Sequence, residues 1–204
     1  MPDASPARVA TGADLRRSIL DHARHLLIAE GYDALSMRKI ARAVGCSATS
    51  IYLYFDSKDA LTHALITEGM ERLFEALSEA QNGAVGPAER LDRLSRAYVR
   101  FGLDNPEYYE VMFQLRPERM ARYPAEDYRR ARRNTALFET VLTDGVADGV
   151  LDPQGAPAVV AEVIWTALHG LVSLHLARRV DVKLAGDALV DAAVRQVLVA
   201  VGVR

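Results

Sequence analysis

LSMRKIARAVGCSATSIYLYFDSK, residues 35–58, is the stretch that decides the fold. Its pattern predicts two short helices joined by a tight turn, with a further helix beginning at its end. Ser36 is a typical N-cap for the first helix, and Gly45 is a residue type that ends helices. The second helix then opens at Ser47. Such a pair is typical of a helix-turn-helix, whose second helix lies in the DNA major groove.

The local charge of this stretch also favours nucleic acid. Between Ser36 and Lys58, four cationic side chains are balanced only by Asp56. The whole chain of 204 residues has a net charge of −2 and a pI near 6.2, so its overall composition does not indicate DNA binding. Because phosphates respond to the local field, an acidic body with a basic head remains compatible with DNA.

Composition indicates the class of protein and its cellular compartment. Half of the residues are apolar, which is enough for a sizeable core. The lone Cys46 excludes an intrachain disulfide and favours a reducing compartment. The longest apolar stretch, residues 158–177, is interrupted by Glu162, His169 and His175. We therefore expect a cytoplasmic protein with no membrane span and no secretory signal.

Helical periodicity, punctuated by Gly and Pro, covers the rest of the chain. It predicts an all-α fold of about nine helices with no sheet. We expect a disordered arm over residues 1–11, a helix-turn-helix DNA-binding domain over 12–60, and a ligand-binding and dimerisation domain over 61–204. Within the last of these, the pattern predicts one helix from about Ala125 to Asp148.

The motifs of the N-terminal head closely resemble the TetR family of bacterial transcriptional regulators. The family pattern includes Thr/Ser-x-Arg-x-Ile-Ala, Gly-Val-Ser, Tyr-x-Tyr/His-Phe and Lys-x-x-Leu. Here these motifs are Ser36-x-Arg38-x-Ile40-Ala41, Gly45-Cys46-Ser47, Tyr52-x-Tyr54-Phe55 and Lys58-x-x-Leu61. The resemblance is dense over about residues 12–62, and Cys46 departs from it where Val is usual.

The resemblance implies roles for individual residues of the head. Ser36, Tyr54 and Lys58 would contact phosphate, and Arg38 would contact a base edge or a phosphate. The residues implied to lie in or beside the major groove are Ser47, Ala48, Thr49, Ser50 and Tyr52. For Lys39 and Arg42, DNA contact and a solvated surface position both remain open.

The C-terminal half carries a second resemblance, to a subgroup of the family named for its Trp-His-Gly signature. The matching residues are Trp165-x-x-x-His169-Gly170. Side chains four apart lie on one helical face, so Trp165 and His169 would share a pocket for a small, largely apolar ligand. The predicted ligand-binding residues are Tyr98, Phe101, Met112, Phe113, Trp165 and His169. A solid core, with His169 bonded to a backbone carbonyl, is the alternative.

A homodimer is expected, because a recognition helix reads few base pairs and such heads usually act in symmetric pairs. The last helix carries valines at spacings of 4, 3 and 4, and the helix before it is apolar almost all round. The family resemblance implies that these two helices form a four-helix bundle between subunits. The predicted interface residues are Leu171, Leu174, Val190, Val194, Val197 and Val201. Burial of the valines within one subunit is the alternative.

The expected function is therefore DNA-binding transcription regulation. We expect a repressor that binds a pseudo-palindromic double-stranded DNA operator and is released by a small-molecule effector. No nucleophile–base pair or metal-ligand set stands out, so we predict no enzyme activity, no cofactor and no metal site. A ligand-binding enzyme that uses His169, or a non-DNA interaction module, is the alternative on the same fold. The Arg-rich segment over 116–133 is expected to be a solvated surface, with an acidic ligand or partner as its alternative.

Overall fold

The computed structural model is all helical in the part of the chain that it describes, residues 12–115, 120–181, 183–184 and 186–203. Its ten helices are α1 (Gly12–Glu30), α2 (Met37–Val44), α3 (Ala48–Tyr52), α4 (Lys58–Ala80), α5 (Pro87–Asp104), α6 (Pro106–Phe113), α7 (Ala125–Ala131), α8 (Arg133–Ala147), α9 (Pro157–Leu176) and α10 (Asp187–Ala200). The predicted all-α class is confirmed. The predicted disordered arm, residues 1–11, lies outside the described residues.

The helices form two compact units. The first, which we call the head, contains the chain up to Ile66 together with Glu110–Arg122. The second, which we call the body, contains Thr67–Tyr109 and the chain from Tyr123 onward. The head therefore differs from the predicted domain of residues 12–60 by including two turns of α4 and a segment from far along the chain.

Local capping sets the helix boundaries of the head, where the sequence places them. Ser36 has an extended backbone, and its hydroxyl accepts a hydrogen bond from the Lys39 N–H at 3.3 Å. Gly45 follows α2 with φ of 78°, a left-handed conformation that favours glycine. Ser57 Oγ accepts the Ala60 N–H at 3.0 Å in the first turn of α4. Because each cap involves only neighbouring residues, the turn between α2 and α3 is fixed locally.

A small apolar core holds the head helices together. α1 packs against α2, and α2 packs against α3. The buried side chains are Ile19, Leu20, Ala23, Leu27, Ile40, Ile51, Phe55, Leu61 and Leu65. Burial of each large aliphatic side chain stabilises the fold by about 1.5–3 kcal/mol. The short α3 is thus anchored by its apolar face, which leaves its polar face for other contacts.

The helix α5 is the centre of the body. It packs against α8, α9 and α10, and α9 also packs against α8 and α10. Leu94 and Val99 of α5 are fully buried. Gly102 allows the close approach of α9, because a Cβ at this position would lie 2.5 Å from Cγ1 of Val172.

The prediction of one helix over residues 125–148 is wrong, since α7 and α8 are separate and meet at Arg132. Two side chains just after the break bond to backbone carbonyls. Asn134 Nδ2 donates to the Ala131 oxygen at 3.0 Å, and Thr135 Oγ1 donates to the Arg132 oxygen at 3.1 Å. Such side-chain bonds compete with regular helix bonding. The apolar spacing continues through the break, so periodicity alone does not predict it.

Candidate functional site

The helix α3, the second helix of the predicted helix-turn-helix, presents polar side chains on one face. Thr49 is exposed and Tyr52 is 52% exposed, whereas Ile51 between them is fully buried. Arg38, in the first turn of α2, is also exposed. These side chains have the chemistry and the accessibility to contact base edges or phosphates.

Ser47 and Ser50 already have partners within the head. Ser47 Oγ accepts the Ser50 N–H at 3.0 Å and lies 2.8 Å from Ser50 Oγ. Ser47 is therefore the N-cap of α3, and the two hydroxyls are paired. Ala48, beside them, is half-buried. Among the residues implied to lie near the groove, Thr49 and Tyr52 thus have the side chains most available for base contacts.

The residues implied to contact phosphate differ in accessibility. Ser36 is exposed, while Tyr54 and Lys58 are half-buried. Lys58 Nζ donates to the Tyr32 backbone oxygen at 3.0 Å and lies 3.9 Å from the centroid of the Tyr32 ring. An ammonium group has three protons, so this arrangement positions Lys58 without using all of its donors.

The head also includes a backbone contact that the sequence does not predict. The Tyr32 hydroxyl donates to Asp59 Oδ1, and Asp59 Oδ2 accepts the Ala121 N–H at 3.1 Å. His63 Nε2 donates to the Ala121 backbone oxygen at 2.9 Å. Both backbone groups of Ala121 are therefore fixed to the first turns of α4, beside Lys58. No motif marks Asp59 or His63, and their partner lies some sixty residues away.

Lys39 and Arg42 of α2, for which DNA contact and a solvated position are both open, differ in ion pairing. Lys39 Nζ pairs with Glu30, which connects α2 to the end of α1. Arg42 is exposed and has no carboxylate partner in the described part of the chain. The structure therefore gives Lys39 a partner within the head, and it leaves Arg42 exposed to solvent.

A cluster of hydroxyl groups surrounds His169 in the body. Tyr109 Oη lies 2.5 Å from His169 Nδ1, and Tyr98 Oη lies 3.3 Å from the same nitrogen. Ser173 Oγ lies 3.3 Å from Nε2. Burial lowers the pKa of His169 and raises the pKa of both tyrosines, so the cluster is neutral at physiological pH. A neutral imidazole accepts through one nitrogen, which suits donation by the Tyr109 hydroxyl to Nδ1.

Two aromatic rings contact the imidazole of His169. The Tyr109 ring stacks on it with a centroid distance of 5.3 Å and an interplanar angle of 24°. The Trp165 ring centroid is also 5.3 Å away, with an angle of 32°. Trp165 and His169 are four residues apart on α9, and this spacing brings their rings into contact, as the sequence predicts. Tyr109 is not one of the predicted ligand-binding residues, and the sequence signal for it is its position in the aromatic segment that contains Met112 and Phe113.

The other predicted ligand-binding residues lie elsewhere. Phe101 lines an open groove with Ala76 and Ala97, at the end of α4 and along α5. Met112 and Phe113 belong to the head, where Met112 is buried and Phe113 is half-buried. The cluster in the body therefore contains Tyr98, Trp165 and His169 of the predicted set.

Two family models match different parts of the chain. Residues 19–65 match the family model described as bacterial regulatory proteins, tetR family. Residues 91–197 match the model described as tetracyclin repressor-like, C-terminal domain. The chain belongs to the TetR family. Neither match singles out the Trp-His-Gly subgroup, so that finer resemblance stays a prediction.

Named relatives of this TetR-family chain are transcriptional regulators. It is 36% identical over 99 residues to an uncharacterised HTH-type transcriptional regulator of Mycobacterium tuberculosis, a match that covers 48% of this chain and 49% of that protein. It is 24% identical over 152 residues to the HTH-type transcriptional repressor KstR2 of Mycolicibacterium smegmatis, with 74% of each protein covered. The chain thus spans about half the length of the first relative.

A solved structure has the same fold over nearly the whole chain. This is a protein of unknown function from Rhodococcus sp. RHA1, with a TM-score of 0.80 and 26% identity. The match covers 97% of this chain and 99% of that one. The fold of this TetR-family member is therefore shared over nearly the whole chain.

The predicted dimer contacts of α10 need correction. Val194 and Val201 are fully buried, and Val197 is 6% exposed, within a single subunit. The reason is that α10 packs against α5 and α9 of its own chain. The valine spacing correctly indicates an apolar face, but that face belongs to the interior of the body and cannot meet a partner.

The other predicted interface residues, Leu171 and Leu174 of α9 and Val190 of α10, are not fully buried. Leu171 and Val190 line a cavity of about 70 Å³ together with Leu103 and His175. Both side chains are half-buried, so the prediction that they meet a partner stays a prediction. Leu174 is 53% exposed and remains available to a partner.

A different set of apolar side chains is exposed on the same helices. Val159 and Val163 accompany Leu174 on α9, and Val199 lies on α10. By length and composition, α9 could also cross a membrane, but helices of soluble proteins pass the same test. Exposed apolar patches of soluble proteins often mark interaction sites.

Proposed function

We propose that this TetR-family chain is a homodimeric transcriptional repressor. It binds a pseudo-palindromic DNA operator through α3 and leaves it when a small, largely apolar ligand binds the body. The observation that carries the DNA half of the proposal is the exposure of Arg38, Thr49 and Tyr52 on a capped helix-turn-helix. The name of the relative KstR2, a transcriptional repressor, supports repression over activation.

The exposed apolar face of α9 supports the homodimer. Val159, Val163 and Leu174 are each more than half exposed, although α9 is a long apolar helix. Large apolar patches on soluble proteins mark interaction sites. A second copy of the chain satisfies this surface and also supplies the second head that a pseudo-palindromic operator requires.

The cluster around His169 supports an apolar ligand with one or two polar atoms. Trp165 and Tyr109 offer aromatic surface, and a polar atom of the ligand would replace the Tyr109 hydroxyl at Nδ1 or the Ser173 hydroxyl at Nε2. Ligand sites combine mostly apolar walls with few polar groups in this way. Release from DNA requires only that the ligand and the operator favour different conformations of the protein.

Selection from random double-stranded DNA tests the DNA half of the proposal. We expect a pseudo-palindromic consensus, bound by two chains per duplex in native mass spectrometry. Affinity in a gel-shift assay should fall steeply as salt rises, because cationic contacts to phosphate release counterions. Duplexes flanking the protein's own coding region are the natural candidates for a second assay. Failure to find any sequence-selective shift would contradict the proposal.

The ligand half can be tested through tryptophan fluorescence. Trp165 is the only tryptophan of the chain, so its emission reports on the His169 cluster alone. Small apolar compounds that change this emission should release a labelled operator over the same concentration range. Compounds with no effect on the emission are the control and should leave the operator bound. A compound that saturates the fluorescence change without weakening operator binding argues against release from this site.

A further inference from the structure

Arg16 is a cationic residue of the head to which the family motifs assign no role. It lies in the first turns of α1 and is exposed. Its guanidinium carbon is 5.2 Å from the centroid of the Phe55 ring, and Phe55 is only 4% exposed. A guanidinium over an aromatic face is attracted by the ring quadrupole, which restricts the side chain to one region of the surface. Arg16 therefore lies next to the residues that follow α3.

The first residue of α1, Gly12, also lies close to the segment that follows α3. A Cβ at Gly12 would lie 3.2 Å from the Tyr54 hydroxyl oxygen. Tyr54 precedes Phe55 in the chain and is one of the residues implied to contact phosphate. The first turns of α1 thus border the end of the recognition helix at two neighbouring residues, Tyr54 and Phe55.

Ion pairing in the head distinguishes Arg16 from its neighbours on α1. Arg17 Nε lies 3.9 Å from Asp21, and Arg24 Nη1 lies 3.2 Å from the same carboxylate. Arg16 has no carboxylate within ion-pair distance in the described part of the chain, and the same holds for Arg38 and Arg42. Cations without an acidic partner contribute most to the positive potential that attracts phosphate.

We propose that Arg16 is a phosphate-binding residue of the DNA interface. Its guanidinium, held over Phe55 and beside Tyr54, contacts the DNA backbone at the edge of the segment read by α3. The planar guanidinium matches phosphate oxygens in a two-point contact, and prior stacking on Phe55 lowers the conformational entropy lost on binding. The contact contributes affinity without sequence preference, because it involves only the backbone. This inference rests on the proposed DNA-binding function.

Arg16→Gln, compared with Arg17→Gln, tests the inference. Glutamine retains part of the side chain that covers Phe55 but has no charge, and Arg17 is an adjacent exposed arginine with a carboxylate partner. Binding of the selected operator and of an unrelated duplex is measured by fluorescence anisotropy at about 50 to 300 mM salt. In Arg16→Gln the salt slope of the dimer should fall by about two, one for each head. The affinity loss, on the order of tenfold, should be equal for both duplexes, because the lost contacts are to the backbone.

The controls separate this role from a structural one. Arg17→Gln should keep the wild-type slope, and Arg16→Lys should restore the slope lost in Arg16→Gln. Equal slopes for Arg16→Gln and Arg17→Gln would overturn the inference. A lower melting temperature of Arg16→Gln with an unchanged slope would also overturn it, because Arg16 would then only cover Phe55. If the wild-type protein itself binds no duplex, the proposed function fails first and the inference fails with it.

Discussion

The head and the body carry their candidate functional residues in opposite ways. In the head, Arg38, Thr49 and Tyr52 are exposed on short helices whose ends are fixed by neighbouring caps. In the body, α5, α6 and α9 each contribute to one cluster, in which the Tyr109 hydroxyl meets His169 Nδ1 at 2.5 Å. The first arrangement is local and open to solvent, and the second is distant in sequence and largely buried.

This difference indicates which property each region should lose on substitution. Exposed side chains on a capped scaffold contribute little to folding, so their removal should affect binding alone. Hydroxyl groups buried around an imidazole satisfy one another, so the removal of one of them leaves a polar atom without its partner. Substitutions in the body should therefore lower the free energy of unfolding.

The largest effect is expected in the head, for Arg38→Ala. An arginine that contacts a base edge contributes about 1–3 kcal/mol of discrimination, and a dimer carries two of them. We therefore expect a loss of operator affinity of at least about tenfold, with an unchanged melting temperature. Anisotropy titration of the labelled operator and thermal unfolding measure the two quantities on the same preparation.

Lys39→Ala is the matched control for Arg38→Ala. Lys39 is adjacent on α2 but pairs with Glu30. Exposed ion pairs contribute on the order of 0.5 kcal/mol, so the operator affinity should stay within about threefold of wild type. If the two variants lose similar affinity, an ion pair in the free protein does not exclude a DNA contact. Ion pairing in the free head would then not predict which cations contact DNA.

In the body, Tyr109→Phe should have an intermediate effect. The substitution keeps the ring stacked on His169 but removes the hydroxyl, which leaves Nδ1 with the longer Tyr98 contact at 3.3 Å. The free energy of unfolding should fall by about 0.5–1.5 kcal/mol, the net contribution of one hydrogen bond, as measured by urea denaturation. Tyr128→Phe is the control, because Tyr128 is a tyrosine of α7 that is 58% exposed. A loss of operator affinity in Tyr109→Phe without a loss of stability would contradict the contrast between the two regions.

The same contrast explains how much the sequence could predict. Ser36, Gly45 and Ser47 act within a few residues of themselves, so a local motif was sufficient for the helix-turn-helix. The face of α10 that contains Val194 was recognised as apolar, but periodicity cannot tell whether α5 of the same chain or a second subunit covers it. Tyr109 and His169 are sixty residues apart, so only the folded chain brings them together. The separation of α7 from α8 depends on Asn134 and Thr135, which are individually compatible with a helix.

The smallest expected effect is the pH dependence contributed by His169. Its imidazole is near Tyr98, Tyr109, Trp165 and Ser173, and burial lowers its pKa in the folded protein. The unfolded chain has a histidine pKa of about 6.5, so below this pH it binds the proton more readily than the folded chain does. This contribution to stability is therefore complete above about pH 6.5 and is lost as the pH falls toward the folded-state pKa.

His169→Gln should remove this contribution. Glutamine can still offer an acceptor to Tyr109, but it does not titrate. Melting temperatures of both proteins, measured from about pH 8 down to about pH 5.5, should therefore diverge only in the acidic range, with the steeper fall in the wild type. Parallel curves of melting temperature against pH would mean that protonation of His169 does not destabilise the folded protein. In that case His169 would be in effective contact with water, and the body would be as open at this position as the head is at Thr49.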